Sequence, residues 1–500
     1  GGIENTMQIA LNPKSVTDYT RFLQAKRLPQ YRVVGRSVEF PDEYAAMMGA
    51  DDITPAPVAY TPHDGLFDYQ AGIARMAIEK GKFAIFADCG LGKTFMLTEF
   101  ARHALAALPK DKRVLIVSPL MVVGQTIGEA DGFYNGDMPI DRIRSAGLQD
   151  WLNGSGGRLG IVNYDALNNT PDRGKLGALI LDESSMLKSH YGKWGQACID
   201  LGKGLPYKLA ATGTPAPNDR IEYANHAVFL DAFPTVNSFL ARYFVNRGQT
   251  DNRWELKPHA LKPFYKSLSH WSIFLANPAA YGWKDNTKPL PPIHIHEHDI
   301  PLTKEQRDVA FDVTGDLFAH KPGGITSRSV LSQVAKGSYR GKPIASNKPA
   351  AIRELCESWP DESTIIWCRY NAEQARVAKE FPDAASLDGS TPIEKREKLI
   401  AEFKAGERRI LISKPKVLGF GLNLQVATRQ VWSGLEDSYE EFYQGVKRSN
   451  RYGSTHPLNV HIPVTDIERP MIENVMRKAE RVDHDTQEQQ EMFANAAESR

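Results

Sequence analysis

The sequence has little of what marks a membrane protein, a secreted scaffold or a disordered tail. No apolar run approaches the roughly 20 residues that a bilayer span needs. The first residues lack the basic stretch and apolar core of a secretory leader. Cysteine is scarce: Cys89, Cys198, Cys356 and Cys368 form no CxxC pair and are too scattered for a disulfide framework, so a reducing cytoplasm is expected. An excess of one charge is missing too. Sixty-one Lys and Arg stand against 60 Asp and Glu, so net charge neither points to nor excludes a polyanionic partner. Low-complexity tracts and solenoid repeats are absent. What is present is an ordinary globular balance, 42% apolar and 24% charged, which excludes a mainly disordered or fibrous protein. Its 500 residues exceed what one hydrophobic core usually serves, and two or three domains are expected.

Residues 1–6, GGIENT, precede a methionine and read as an appended scar. Residues 7–60 contain a helical stretch (VTDYTRFLQAKRL), a hairpin (RVVGRSVEF) and a helix around EYAAMMG, which predict a small α+β domain. It carries Lys14, Arg21, Lys26, Arg27, Arg32 and Arg36 against few acids before Glu39. This basic piece reads equally as a contact to nucleic-acid phosphates or a partner, and as a packing brace on the first lobe. The turn-rich DDITPAPVAYTPHDG closes it.

Over 61–285, the runs AIFAD (84–88), VLIVSP (114–119), GIVNY (160–164), ALILDE (178–183) and KLAATGT (208–214) alternate with amphipathic stretches. Continuous apolar strands between helices predict a parallel sheet covered on both faces. Residues 286–305 read as a proline-rich linker. A second series of strands lies within 306–470: TIIWCR (364–369), ASLDG (385–389), RILISK (409–414), RQVWSG (429–434) and NVHIPV (459–464). Residues 471–500 read as a polar helical tail with a frayed end. The predicted fold class is α/β, with two tandem parallel-sheet lobes behind a small N-terminal domain.

The first strand runs into Ala87-Asp88-Cys89-Gly90-Leu91-Gly92-Lys93-Thr94 and then an amphipathic helix. Glycines let the backbone curl so that successive N–H groups face a triphosphate, and the helix N-terminus favours negative charge. Lys93 is placed to reach the β- and γ-phosphates and Thr94 to ligate Mg²⁺. The full Walker spacing wants Gly at 87, where Ala87 stands. Downstream, Asp182-Glu183-Ser184-Ser185 ends the apolar run ALIL. A carboxylate pair there suits one residue holding Mg²⁺ through water, Asp182, and the next activating a water, Glu183. ATP and Mg²⁺ are the expected cofactors.

From about 66 to 465 the chain resembles superfamily 2, and within it the Swi/Snf-type double-stranded DNA translocases, in a compact bacterial or bacteriophage form. LFDYQ (66–70) resembles the family's adenine-reading element, with Gln70 as reader. ADCGLGKT resembles motif I, in which Gly90, Leu91, Gly92, Lys93 and Thr94 hold nucleotide. VLIVSPLMVVGQ (114–125) resembles motif Ia and IVNYDAL (161–167) the next strand-end element. DESS resembles motif II, although the family more often has DEAH or DEGH; Ser185 departs from it where a contact to the coupling motif is made. ATGTPAPND (211–219) resembles motif III, with Thr212 and Thr214 as coupling residues. LPPIHIHEHDIPLTKEQ (290–306) resembles the entry to the second lobe, IIWCRYNAEQ motif IV, and VLGFGLNLQVA (417–427) motif V. LDGSTPIEKREKLIAEFKAGERRILIS (387–413) matches a long family element in residue type. QGVKRSNRYG (444–453) reproduces the QxxxRxxRxG of motif VI.

The resemblance implies two RecA-like lobes and a nucleic-acid-stimulated ATPase. Arg448 and Arg451 would reach the γ-phosphate on closure, with Gly421 and Gln444 near the nucleotide. Nucleic acid would be gripped at Ser118, Pro119 and Tyr164 on lobe 1 and at Arg369, Lys414 and Asn423 on lobe 2. It implies DNA, double-stranded or branched, as the partner, and a monomer in a bacterial or phage-infected cell. Two alternatives stand beside this: a strand-separating helicase or restriction-type motor, and a nucleic-acid-binding scaffold that binds ATP without turnover. Intact Lys93, Asp182, Glu183, Arg448 and Arg451 argue against the scaffold.

Other features read as ordinary structure. His294, His296 and His298 alternate and would share one strand face; a polar edge strand is the better reading than a zinc site, since one strand rarely supplies tetrahedral ligands alone. Cys89 reads as a small residue that fits, rather than a thiol activated by the helix N-terminus. Asn168-Asn169-Thr170 matches a glycosylation sequon without meaning in a cytosolic chain. Trp151, Trp194, Trp254, Trp271 and Trp283 read mostly as packing rather than base-stacking platforms.

Overall fold

A computed structural model describes residues 6–48, 52–87, 90–184, 194–213, 223–249, 254–284, 290–315, 325–418, 422–435, 438–451 and 454–498. The chain forms two units, Gly1–Thr287 with Asp485–Arg500, and Lys288–His484. Among the described residues no helix is long and apolar enough to cross a membrane.

The first unit opens with three strands, β1 (Thr6–Ala10), β2 (Arg32–Val34) and β3 (Ser37–Pro41), in an antiparallel sheet of order β1-β3-β2. The expected helix (Val16–Ala25) packs on it, and the segment around EYAAMMG is a 3-10 turn, Asp42–Met47. The expected boundary near 60 is corrected. Ala25, Leu28, Val38, Phe40, Tyr44 and Met47 belong to the same apolar cluster as Phe86, Leu179 and Trp271 of the adjoining lobe. Polar contacts reinforce the packing: the Tyr44 hydroxyl meets His270 Nδ1 at 3.1 Å, and Arg242 pairs with Asp42 at 3.3 Å and Glu43 at 3.2 Å. The N-terminal piece thus shares the core of the first lobe.

That lobe is a seven-stranded sheet of β4 (Lys82–Ala87), β5 (Arg113–Ser118), β6 (Asp141–Arg142), β7 (Leu159–Asn163), β8 (Leu176–Asp182), β9 (Tyr207–Thr212) and β12 (Ser272–Leu275). A separate antiparallel ribbon pairs β10 (Phe244–Asn246) with β11 (Trp254–Leu256). The sheet order is β12-β4-β9-β8-β5-β7-β6, with every neighbouring pair parallel. Alternate residues of each strand enter different cores, which is why the runs are apolar throughout. Phe83 and Ile85 join one cluster with the helices Asp68–Lys80 and Lys93–Ala107, while Ala84 and Phe86 join the other with Tyr223–Phe229 and Leu261–Trp271. The five predicted strands are all present, and β12 and β6 extend the sheet beyond them.

The expected frayed tail is also corrected. One helix spans Arg469–Glu498, and near its end Phe493 is buried among Tyr265 and Phe274 of the first unit. There Gln490 Oε1 accepts from the N–H groups of Ala276 and Asn277, both at 2.6 Å.

The second unit contains β13 (Ile293–Asp299), the short ribbon β14 (Ser338–Tyr339) and β15 (Lys342–Pro343), then β16 (Thr364–Trp367), β17 (Ala385–Ser386), β18 (Ile410–Ser413), β19 (Arg429–Trp432) and β20 (Leu458–Val464). Its main sheet has order β13-β20-β19-β16-β18-β17 and is parallel at every neighbouring pair. Within the expected linker 286–305, residues 293–299 form the exposed polar edge strand that the alternating histidines predict. Its histidines do not converge on one point: His296 Nε2 meets Asn459 Oδ1 and His298 Nε2 meets His461 Nδ1, each at 2.9 Å. Beneath this unit's surface Glu468 lies 2.6 Å from the Lys348 ammonium and 3.8 Å from that of Lys336, with all three side chains buried.

Candidate nucleotide-binding site

In the first unit β4 and β8 are separated by β9, so their ends stand two strand spacings apart, roughly 10 Å. After β4 the chain turns through Gly90 and Gly92, with φ of +86° and +78°, and enters the helix Lys93–Ala107. The φ of Gly92 lies in the left-handed region that favours glycine, and a Cβ there, 2.0 Å from Gln70 Nε2, would displace the Gln70 amide. Lys93 occupies the first helical turn, and its Nζ crosses the sheet end to Glu183 Oε1 at 2.8 Å. Thr94 is the next residue, half-buried on the same turn.

Gln70 sits on the helix Asp68–Lys80 and joins the two elements the resemblance assigns to the nucleotide. Its Oε1 accepts from the Phe67 N–H at 3.0 Å, and its Nε2 donates to the Leu91 carbonyl at 3.2 Å. The Tyr69 hydroxyl donates to the same carbonyl at 2.8 Å, a contact sequence reading did not pick out.

Asp182 closes β8 and is buried. The Ser118 hydroxyl donates to its Oδ2 at 3.3 Å, and the Tyr164 hydroxyl to its backbone carbonyl at 2.7 Å. Burial, with the Glu183 carboxylate beside it, pushes the Asp182 carboxyl up to about 7 against the opposing pull of Lys93 and Ser118. Two adjacent buried carboxyls opposite one ammonium form a donor set suited to a hard divalent cation, so the residues fit Mg²⁺ carried with a triphosphate. Thr212 ends β9, buried between the two functional strands.

The structure places three of the residues expected to grip nucleic acid in the interior of the first unit. Ser118 and Tyr164 are buried and spend their hydroxyls on Asp182, and Pro119 is buried at the start of the helix Leu120–Phe133. Here the first two position the carboxylate and present no side chain to a strand. Tyr164 also stacks on Trp194, with ring centroids 5.8 Å apart. Cys89, Ser185 and Thr214 lie outside the described residues, as does Gly421 of the second unit.

Within the second unit the segments resembling motifs V and VI are brought together. The Leu424 N–H donates to the Arg448 carbonyl at 2.8 Å, and Gln425 Nε2 donates to the Arg451 carbonyl at 3.5 Å. Gln444 is buried on the helix Tyr439–Val446; Arg448 is buried and Arg451 half-buried in the turn beyond it. Asn423 is half-buried, its Oδ1 accepting from the Gln425 N–H. Arg369 and Lys414 lie just past the ends of β16 and β18. Arg369 pairs with Glu441 at 3.2 Å, and Lys414 donates to Asn371 Oδ1.

A parallel sheet that ends in a glycine turn, a first-turn lysine and a carboxylate pair, in a chain with a second parallel-sheet unit, gives an α/β fold of two units with a candidate nucleotide site in the first. Residues 347–453 match the family described as the helicase conserved C-terminal domain. The chain is similar to the ATP-dependent helicase fft1 of Schizosaccharomyces pombe, 28% identical over 153 residues, covering 28% of this chain and 16% of that protein. It is also similar to the ATP-dependent RNA helicase RhlB of Vibrio cholerae, 28% identical over 142 residues, covering 27% of this chain and 32% of that one. The similarity thus spans less than a third of the one curated relative and about a sixth of the other. A solved structure, the Sulfolobus solfataricus SWI2/SNF2 ATPase core in complex with dsDNA, aligns over 86% of this chain and 96% of that one, with a TM-score of 0.38 and 17% identity. The matched residues 347–453 lie wholly within the second unit.

Proposed function

We propose that the protein is an ATP-dependent, Mg²⁺-requiring Swi/Snf-type translocase that couples ATP hydrolysis to movement on double-stranded or branched DNA, in the DNA metabolism of a bacterial or phage-infected cell. The observation that carries the reading is the meeting of Lys93 and Glu183 across the sheet end beside buried Asp182. Magnesium bound with the nucleotide would neutralise phosphate charge and be held by Asp182, through water, and Thr94. Lys93 exchanges its carboxylate partner for phosphate when nucleotide binds. That releases Glu183 to orient water and take its proton. Arg448 and Arg451 are assigned to the developing γ-phosphate charge, a role worth roughly 10³–10⁵ in rate where it operates. Arg369, Lys414 and Asn423 are assigned to the nucleic-acid backbone. The duplex track itself rests on the motif resemblance over 287–465.

The test is steady-state ATP hydrolysis without nucleic acid and with single-stranded, duplex and branched DNA and RNA, at two salt concentrations. Stimulation mainly by duplex or branched DNA, fading as salt rises, supports the reading. A second reading, a strand-separating helicase, is favoured by the similarity to a protein named an RNA helicase. Stimulation by single strands or RNA, with displacement on forked substrates, would establish it instead.

A further inference from the structure

The residue after the water-activating carboxylate is held by a side chain from a distant helix. Glu183 has φ of +52°, a left-handed conformation that costs a residue with a Cβ about 1–2 kcal/mol and persists only where neighbours impose it. The next residue supplies that constraint. The Ser184 N–H donates to the Ala211 carbonyl at 2.9 Å, which ties the turn to β9. The Ser184 hydroxyl lies 3.3 Å from the same carbonyl and 2.8 Å from Nε2 of His226. An Nε2–H donated to Oγ, with the hydroxyl donating to Ala211, satisfies all three atoms; in the other tautomer the hydroxyl donates to the ring. Either way the imidazole and the hydroxyl are joined.

His226 lies on the helix Tyr223–Phe229 and is buried. Its ring stands edge-on to Phe86, centroids 5.2 Å apart, one residue before β4 ends and the phosphate loop begins. One imidazole therefore touches the strand feeding the phosphate loop and the residue that fixes the backbone of Glu183. An apolar residue would satisfy the contact to Phe86. The bond to Ser184 needs a polar one.

We propose that His226 is a positioning residue for Glu183, acting through Ser184, so that the packing of the helix Tyr223–Phe229 sets the aim of the water-activating carboxylate. This rests on the ATPase reading above and deepens it.

The test uses the full chain and reads kcat, KM for ATP, the dissociation constant of a fluorescent ATP analogue, and the melting temperature. Ser184→Ala removes the hydroxyl with little loss of volume, and His226→Leu keeps a buried apolar group against Phe86. Each is expected to lower kcat about ten- to a hundredfold, the usual cost of losing an orienting outer contact, while nucleotide affinity is unchanged. The double variant is expected to fall no further than the worse single one. His226→Gln, which places an amide near the position of Nε2, is expected to recover most of the rate. Unchanged kcat in Ser184→Ala overturns the proposal, as does a loss of nucleotide affinity that tracks the melting temperature in every variant. Absence of hydrolysis in the wild type overturns the ATPase reading and the positioning role with it. Hydrolysis that survives both substitutions at full rate overturns the positioning role alone.

Discussion

The ammonium of Lys93 lies 2.8 Å from Oε1 of Glu183, both side chains largely out of solvent. The cation that would grip phosphate and the carboxylate that would activate water therefore neutralise each other across the end of β9. In the proposed mechanism such a pair would separate binding from chemistry, because each partner would have its own task once the contact is exchanged.

Glu183→Gln is expected to keep nucleotide binding and to lower turnover by about 10²–10⁴, the range a general base supplies. Lys93→Ala is expected to weaken binding first. Equilibrium titration with a fluorescent nucleotide, beside steady-state hydrolysis, separates the two. Full turnover in Glu183→Gln would mean that another residue is the base.

Gly92→Ala is expected to cost about 1–2 kcal/mol for the left-handed backbone alone. It also drives the new methyl against the Gln70 amide, whose Nε2 lies 2.0 Å from where the Cβ would be. Thermal unfolding should show the loss of stability, and the nucleotide-induced rise in melting temperature should disappear. Gly389, with nothing within 4 Å of its Cβ position, is the matched control.

Glu468 is the only carboxylate that the Lys336 and Lys348 ion pairs among the described residues share. Burial works against its charge, but Lys348 and Lys336 outweigh it and hold the carboxyl below its ordinary value of 4.5. A depressed carboxyl stabilises the fold fully above that ordinary value and loses its contribution as pH falls through the folded one. Glu468→Gln leaves two buried ammonium groups with hydrogen-bond acceptors but no paired carboxylate, and is expected to cost about 3–5 kcal/mol, measured by denaturant unfolding at neutral pH.

His461 also costs stability on acidification, but by staying neutral in the fold rather than charged. Burial first, then His296, Arg429 and His298, lower it to about 3 from 6.5, so the folded state keeps it neutral. Arg429 Nη1 donates to its Nε2 at 2.9 Å, and Trp359 stacks on the ring at 4.3 Å between centroids. Below pH 6.5 the unfolded chain binds a proton that the folded chain refuses. Stability should therefore fall by up to roughly 1.4 kcal/mol per pH unit down to the folded value. His461→Phe is expected to flatten that slope between pH 6 and 4.5 in a series of denaturant melts.

Much of the fold was legible because buried parallel strands write themselves as short apolar runs. Strand β12 was not: Trp271 ends a helix and Ser272 begins a strand, with no glycine or proline between them. Strand β13 reads as a polar edge strand from its alternating histidines, inside a stretch that otherwise reads as a linker. Its edge position lets it carry His, Glu and Asp, and only its alternation points to a strand.

At the site, the meeting of Lys93 with the strand end carrying Asp182 and Glu183 was legible because a glycine loop and a strand end are local sequence features. The inward direction of Ser118 and Tyr164 was not legible, because a strand-end position locates a Cα but not the direction of the side chain. Both turn inward, to Asp182. His226 lies 42 residues from Ser184, and its sole trace in the sequence was the hydroxyl residue at the third position of DESS.

Phe493 and Gln490 complete a surface of the first unit whose other residues precede 288. During synthesis, roughly 200 residues must be added after that unit's main body emerges, or about 10–40 s at ordinary elongation rates. Until then the apolar seat at Tyr265 and Phe274 is without its own cover. The first lobe is begun first and finished last, and a ribosome stalled anywhere in the second unit would display a nearly complete lobe with one greasy socket open to chaperones.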